Sequence, residues 1–346
     1  MLPTRRVHKR VTLTDIARAC DVAPSTVSRA LSTPGRVSPQ MYERISRKAQ
    51  ELGYGAGSRP AQQNRIARGT IALVVPNLHN PFLLDLIRGC QSHAQAAGYL
   101  PLLATSGESE QVESDLLEEL AETVDGIVLV SPRSEDAVLT VTGQRVPLVV
   151  VNRDVPGVSG IRIDTAAGAV QVLDYLVSLG HRRIAYIRGP RASWTDRSRF
   201  AALSDRSREH PGAVLLPIGN YFSSLANGRA AADSVALSGA SAAMFFNDTL
   251  AIGALGRFAE LGIDVPGDLS VTGCDDIFGA SFTAPPLTTV TASAEEAGRA
   301  VTDLLLSRFL SRERPRRFDS VATHLTVRDS TAPPRDADEA PGPVGT

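Results

Sequence analysis

From Thr70 onward the chain alternates short apolar runs with longer amphipathic stretches, and this constrains the fold more than any other feature. Residues 71–75 read as a buried strand and 82–97 as an amphipathic helix. Unbroken apolar runs of this length suit strands covered on both faces, as in parallel sheets whose crossovers are helices. The spacing predicts further strands at 100–104, 126–130, 148–151, 161–163, 184–187, 242–246 and 270–273. Helices are expected at 110–121, 166–179, 249–261 and 295–309. Such alternation predicts the α/β class, and roughly 260 residues of it suit two lobes better than one sheet.

The first 54 residues follow another period. Thr12 is a good N-cap, and Leu13, Ile16, Ala17 and Cys20 recur at helical spacing. Asp21 interrupts, and aspartate tolerates the left-handed conformation that a tight turn needs. A second helix is expected over 24–31 and a third over 39–52, capped by Ser38 and stopped by Gly53. An all-α head over 1–54 therefore precedes a Gly- and Pro-punctuated linker over 55–69, a core over 70–330 and a disordered tail over 331–346.

Charge separates the same parts. Residues 1–68 hold thirteen cations and four anions, a net +9, which leaves −10 on the rest of a chain whose formal charge is −1. A basic head on an acidic body points to a polyanion partner for the head alone, although a solvated basic face gives the same count. The cysteines, Cys20, Cys90 and Cys274, are far apart and odd in number, which suits a reducing cytoplasm. No signal-peptide core, membrane-length apolar run, metal-ligand spacing, phosphate-binding loop or nucleophile elbow is present. The expectation is a binding protein, not an enzyme, with no cofactor and no metal.

The run from residue 11 to residue 38, VTLTDIARACDVAPSTVSRALSTPGRVS, followed by Glu51-Leu52-Gly53-Tyr54, closely resembles the helix-turn-helix head of LacI/GalR transcription regulators. Asp21 stands where that family usually has glycine. The resemblance implies that the helix carrying Thr26, Val27, Ser28 and Arg29 enters the DNA major groove. Pro24, Ser25 and Arg29 then stand at base-reading positions, and Thr12 and Thr26 where phosphate contacts are common. Short hydroxyls and an arginine suit both tasks. Further matches run to about residue 330: Asn80-Pro81-Phe82, Gly180-His181-Arg182-Arg183, Asn247-Asp248, Gly273-Cys274-Asp275-Asp276 and Pro285-Pro286-Leu287. They imply a two-lobed, periplasmic-binding-protein-like sensor with parallel sheets, working as a homodimer on a near-palindromic operator.

Ligands of open α/β sheets bind outside the carboxyl ends of strands. Phe82, Asn152, Arg191, Ser193, Trp194, Arg197, Asn247 and Asp275 all follow expected strands. An aromatic face with Asn, Asp and Arg suits a sugar or polyol, which needs stacking and paired hydrogen bonds to neighbouring hydroxyls. By resemblance, Arg197 and Asp275 stand at positions that often contact effectors, and Phe82 and Asn247 at common pocket positions. Trp194 is equally compatible with core packing. The linker departs from the family: relatives carry a hinge helix with a leucine that wedges into the minor groove, and Gln63 stands there instead. Ile66, the linker's only large aliphatic residue, is the best substitute wedge. A solute-binding protein without gene control is the alternative reading, opposed by the basic head.

Overall fold

A computed structural model describes residues 12–32, 38–51, 69–310 and 316–335, and the chain divides between Ile66 and Ala67 into two units. In the first unit, α1 (Leu13–Ala19), α2 (Pro24–Ser32) and α3 (Pro39–Glu51) close on Ile16, Ala17, Cys20, Val27, Ala30, Ile45 and Ala49. Thr12 and Asp15 cap α1 reciprocally: Asp15 N donates to Thr12 Oγ1 at 3.4 Å, and Thr12 N to Asp15 Oδ2 at 2.8 Å. Asp21 adopts φ +50°, the left-handed turn expected of it.

The second unit begins with β1 (Thr70–Val75), α4 (Pro81–Ala96), β2 (Leu100–Thr105), α5 (Glu110–Thr123), β3 (Gly126–Val130), α6 (Asp136–Arg145), β4 (Leu148–Val151) and β5 (Ser159–Ile163). It continues with α7 (Thr165–Ser178), β6 (Arg183–Ile187), α8 (Trp194–Arg208), β7 (Val214–Ile218), α9 (Leu225–Ala236), β8 (Ala242–Phe245), α10 (Asp248–Glu260) and β9 (Ser270–Thr272). The last elements are β10 (Thr289–Ala292), α11 (Ala294–Leu310), β11 (Phe318–Val321) and β12 (Thr323–Thr326).

Two parallel sheets result, of six strands in the order β11-β5-β4-β3-β1-β2 and of four in the order β7-β6-β8-β9, beside an antiparallel β10-β12 pair. Each sheet is covered on both faces. On β1, Ile71, Leu73 and Val75 pack toward α4 and α11, while Ala72 and Val74 face α5. On β6, Ala185 and Ile187 pack toward α9 and α10, while Ile184 and Tyr186 face α7 and α8. The chain crosses between the lobes at 163–165, 292–294 and 321–323. Thr323 Oγ1 donates to the Asp164 carbonyl at 2.8 Å and ties two of these crossings together.

Every strand and helix expected in the core forms to within about two residues. Helices α6, α8 and α9 and strands β7, β10, β11 and β12 were not expected, and α8 bears directly on the site. Disorder was expected from Thr331, but the chain stays anchored through Arg335. Tyr175 and Thr331 hydroxyls lie 3.0 Å apart, Ala332 N donates to Ser270 Oγ at 3.0 Å, and Arg335 pairs with Asp268. A proline-rich segment lacks amide donors, and here side chains of the second lobe satisfy what remains. His181 belongs to that anchor, with Nδ1 2.8 Å from Ser241 Oγ and Nε2 2.9 Å from the Ala332 carbonyl.

Candidate functional site

The carboxyl ends of strands from both lobes converge on a cleft. On the second lobe, Asp275 follows β9 with φ +117°, and its amide donates to the Val290 carbonyl at 2.9 Å. Its carboxyl accepts from Asn80 Nδ2 of the first lobe at 2.8 Å. Burial pushes Asp275 up to about 6, against the pull of Asn80 and Arg199. Asp248, the first residue of α10, is fully buried and accepts from Thr289 Oγ1 at 2.6 Å and Ile277 N at 2.9 Å. Desolvation and the charge of Asp275 raise it to about 7. Asp276 is the neutralised member, taking Arg328 Nη2 at 2.6 Å and Thr291 Oγ1 at 2.8 Å.

The cation of the cleft is Arg199. It is 3% exposed, donates to Thr165 Oγ1 at 3.0 Å and to the Phe246 carbonyl, and lies 4.9 Å from the Phe246 ring centroid. Its Nε is buried with no hydrogen-bond partner among the described residues. Among the described residues no carboxylate is bonded to it directly, although Asp275 and Asp196 are electrostatic neighbours. Asp196 is itself consumed by structure, accepting from Gly189 N at 2.9 Å, Arg188 Nε at 2.9 Å and Tyr186 Oη at 3.3 Å.

The structure redistributes the residues expected at the site. Arg197 is exposed, with Nη1 3.4 Å from the Arg191 carbonyl, and Arg191 is exposed too. Two steps along a helix turn a side chain about 200° around its axis. The enclosed guanidinium is therefore Arg199, which shares the buried face of α8 with Asp196 and Leu203. Recognising 194–208 as a helix would have exposed this register. Ser193 is buried as the α8 cap and accepts from Asp196 N at 3.2 Å. Asn247 is 1% exposed and used at both ends, accepting from Leu250 N at 3.1 Å and donating to Ser223 Oγ at 2.7 Å. Phe82 is buried in the first-lobe core, so its ring is no free stacking face. Asn152 sits at φ +64° and accepts from Ile163 N at 3.0 Å. Half-buried Trp194 lines a narrow crevice with Asn152, Asp164, Thr165 and Ser198. Among the expected residues, Asp275 thus stays at the contact between the lobes and Trp194 and Asn152 in the crevice, and Arg199 joins them through its bond to Thr165 of that crevice. The enclosed donor, the acceptor and the adjoining aromatic edge suit a neutral ligand rich in hydroxyls.

In the first unit, Pro24 opens α2, and it and Ser25 are exposed while Thr26 is half-buried. Val27 and Ala30 turn into the core, and Pro24 and Ser25 stand exposed at the start of the helix. Ser28 and Arg29 belong to α2, but their side chains lie outside the described residues, as does Ile66. The hydroxyl of Thr12, expected at a phosphate, is also engaged in the α1 cap, 2.7 Å from Asp15 Oδ2.

Residues 12–56 match the family model for bacterial regulatory proteins of the lacI family, and residues 173–331 a periplasmic binding protein-like domain. The chain is 29% identical over 338 residues to the HTH-type transcriptional repressor CytR of Escherichia coli (strain K12), covering 95% of this chain and 99% of that one. It is 30% identical over 300 residues to the HTH-type transcriptional regulator DegA of Bacillus subtilis (strain 168), covering 84% and 88%. Among solved structures, a complex of the transcriptional regulator CelR with cellobiose superposes with a TM-score of 0.67 at 28% identity, covering 93% of this chain and 100% of that one. A LacI family regulator from Enterococcus faecium with bound ribose gives 0.68 at 26%, covering 77% and 100%. The lac repressor dimer bound to operator shares the fold, with a TM-score of 0.69 at 22% identity, covering 94% and 100%.

Proposed function

The chain belongs to the lacI family of bacterial regulatory proteins, and from that premise we propose that it is a homodimeric repressor whose hold on a near-palindromic operator is set by a sugar-like effector. It is a DNA-binding transcriptional regulator with a periplasmic-binding-protein-like effector domain, and it is not an enzyme. The observation that carries the effector reading is the enclosed Arg199 guanidinium, its Nε unpartnered among the described residues, in the electrostatic reach of Asp275. A buried donor left without an acceptor is costly, and a polyol hydroxyl supplies one while a neighbouring hydroxyl donates to the Asp275 carboxylate. Cellobiose and ribose in relatives support the sugar class. On the DNA side, Pro24, Ser25, Thr26, Ser28 and Arg29 on α2 read the major groove, Thr12 holds phosphate, and each head of the dimer reads half of the operator in the cytoplasm.

Both arms are testable on the full chain. Thermal melts against a panel of mono- and disaccharides should single out one class that raises Tm, because a ligand that binds only the native state stabilises it. A panel with no stabilising sugar overturns the effector reading. Selection from a random duplex library should enrich a near-palindrome. Affinity for it should fall on the order of a thousandfold or more between 50 and 200 mM salt, given about six or more neutralised phosphates. Enrichment of no motif overturns the DNA reading.

A further inference from the structure

Two side chains on opposite lobes meet directly. Asn80 caps α4 of the first lobe, its Oδ1 accepting from Phe82 N at 3.2 Å, and its Nδ2 donates to Asp275 Oδ2 of the second at 2.8 Å. The donor is braced within its own lobe. Asn77 Oδ1 accepts from His79 N at 2.9 Å and Asn80 N at 3.4 Å, and Asn77 Nδ2 donates to Glu108 Oε1 at 2.7 Å. Arg133, Nε 3.0 Å from Glu108 Oε2, completes the brace. On the other side Asp275 holds φ +117°, a conformation that a residue with a side chain keeps only where its surroundings impose it.

We infer that Asn80 is a positioning residue of the cleft, its amide clasping Asp275 across the lobes and so setting how readily the cleft opens. Apolar packing also joins the lobes: Ile277 packs into the first-lobe core, and Ile252 touches the cores of both lobes. Apolar contact is non-directional and tolerates sliding, whereas a hydrogen bond to a carboxylate fixes one arrangement. The groups facing Asp275 are Asn80 from α4, Asp248 from α10, Arg199 from α8 and the adjacent Cys274. Only Asn80 among them comes from the first lobe. Where the effector reading above holds, a ligand that takes Asp275 Oδ2 competes with Asn80, and this clasp then tunes effector affinity.

The experiment needs neither sugar nor DNA. Cys20, Cys90 and Cys274 are buried, so spin labels go to cysteines introduced at exposed Glu118 on α5 and Ala230 on α9. Labelled protein is diluted with unlabelled protein, and pulsed electron resonance reads the distance between lobes. Asn80→Asp sets two carboxylates against each other, so at pH 8 a longer-distance population should appear. At pH 5 it should shrink, because one proton restores a donor between the pair. Asn80→Asp combined with Asp275→Asn swaps donor and acceptor and should return the native distribution at pH 8. Asn80→Ser keeps a capping oxygen but loses the reach, and should give an intermediate shift. A purely structural Asn80 would give a defect indifferent to pH and to the swap. The native distribution in Asn80→Asp at pH 8, or in Asn80→Ser should Asn80→Asp not fold, overturns the inference, as does failure of the swap. A negative result leaves the sugar reading standing, and a failed sugar panel leaves this clasp standing.

Discussion

Arg197 and Arg199 lie two positions apart on one helix and face opposite environments. Arg199→Ala should weaken binding of the sugar found in the panel by about 1.5–3 kcal/mol, roughly tenfold to a hundredfold in Kd, because it removes a charged donor from an enclosed site. Arg197→Ala, on the exposed face, should stay within about 0.5 kcal/mol. Calorimetry of the two variants decides between the registers. Asp248 carries a second prediction. It is raised to about 7, so its contribution to stability is full below the ordinary carboxylate range and is lost as pH climbs toward and through 7. Asp248→Asn mimics the protonated form and should flatten the fall of Tm between about pH 5 and 8, an effect on the order of a few kcal/mol. His181 acts in the opposite sense. Burial holds it below its ordinary value, so stability falls as pH drops below about 6.5, and Asp248→Asn should keep the acid limb of the native protein.

At the scale of elements, both lobes bring a helix pair together in the same way. Where α4 meets α11, a Cβ on Gly89 would stand 2.0 Å from the Glu295 carbonyl oxygen and one on Gly298 2.2 Å from that of Leu86. Where α9 meets α10, the corresponding glycines are Gly228, 2.1 Å from Leu250 O, and Gly253, 2.2 Å from Leu225 O. Gly253→Ala must therefore push α9 off α10, and should cost about 1–3 kcal/mol in denaturant melts. Gly256→Ala, three residues on and 3.7 Å from only an arginine tip, should stabilise by about 0.5–1 kcal/mol through helix propensity. Equal effects from the two would contradict this packing. Helix α8 escaped the reading of periodicity for a related reason. Its buried face is Asp196, Arg199 and Leu203, so two of the three inward residues are charged. A search for apolar residues at helical spacing passes over a helix whose inner face serves the cleft. Helix α9 was obscured by its small inward residues, Gly228, Ala231 and Ala232.

At the scale of the molecule, the head must report to the sensor through residues 52–68, which lie outside the described residues. The prediction here rests on sequence. Gln63 cannot gain from wedging between bases as an apolar side chain does, and Gly55 and Gly57 raise the cost of ordering the segment. Operator bending should be weaker than is usual for the family, and coupling of effector to DNA looser. Any kink that is measured should depend on Ile66. DNA-bending assays should show it reduced by Ile66→Ala and unaffected by Gln63→Ala, and the reverse pattern would refute this reading of the linker.

The sequence by itself determined the α/β class, the basic three-helix head and the family. These follow from local or near-local features: strands buried on both faces, caps such as Thr12, a turn residue such as Asp21 and the contiguous run from 11 to 38. It also placed Asp275 at the end of a strand, where a cleft residue belongs. The tertiary structure alone decided what each polar side chain faces. Asn247 and Ser193 look like ligand groups in sequence but are spent on helix caps, and Phe82 is spent on the core. Arg199, an ordinary arginine in a polar stretch, became the cleft cation because α8 turned it inward. The pairing of Asn80 with Asp275 joins residues 195 positions apart. A donor's partner is set by where the chain returns in space, which no local pattern encodes.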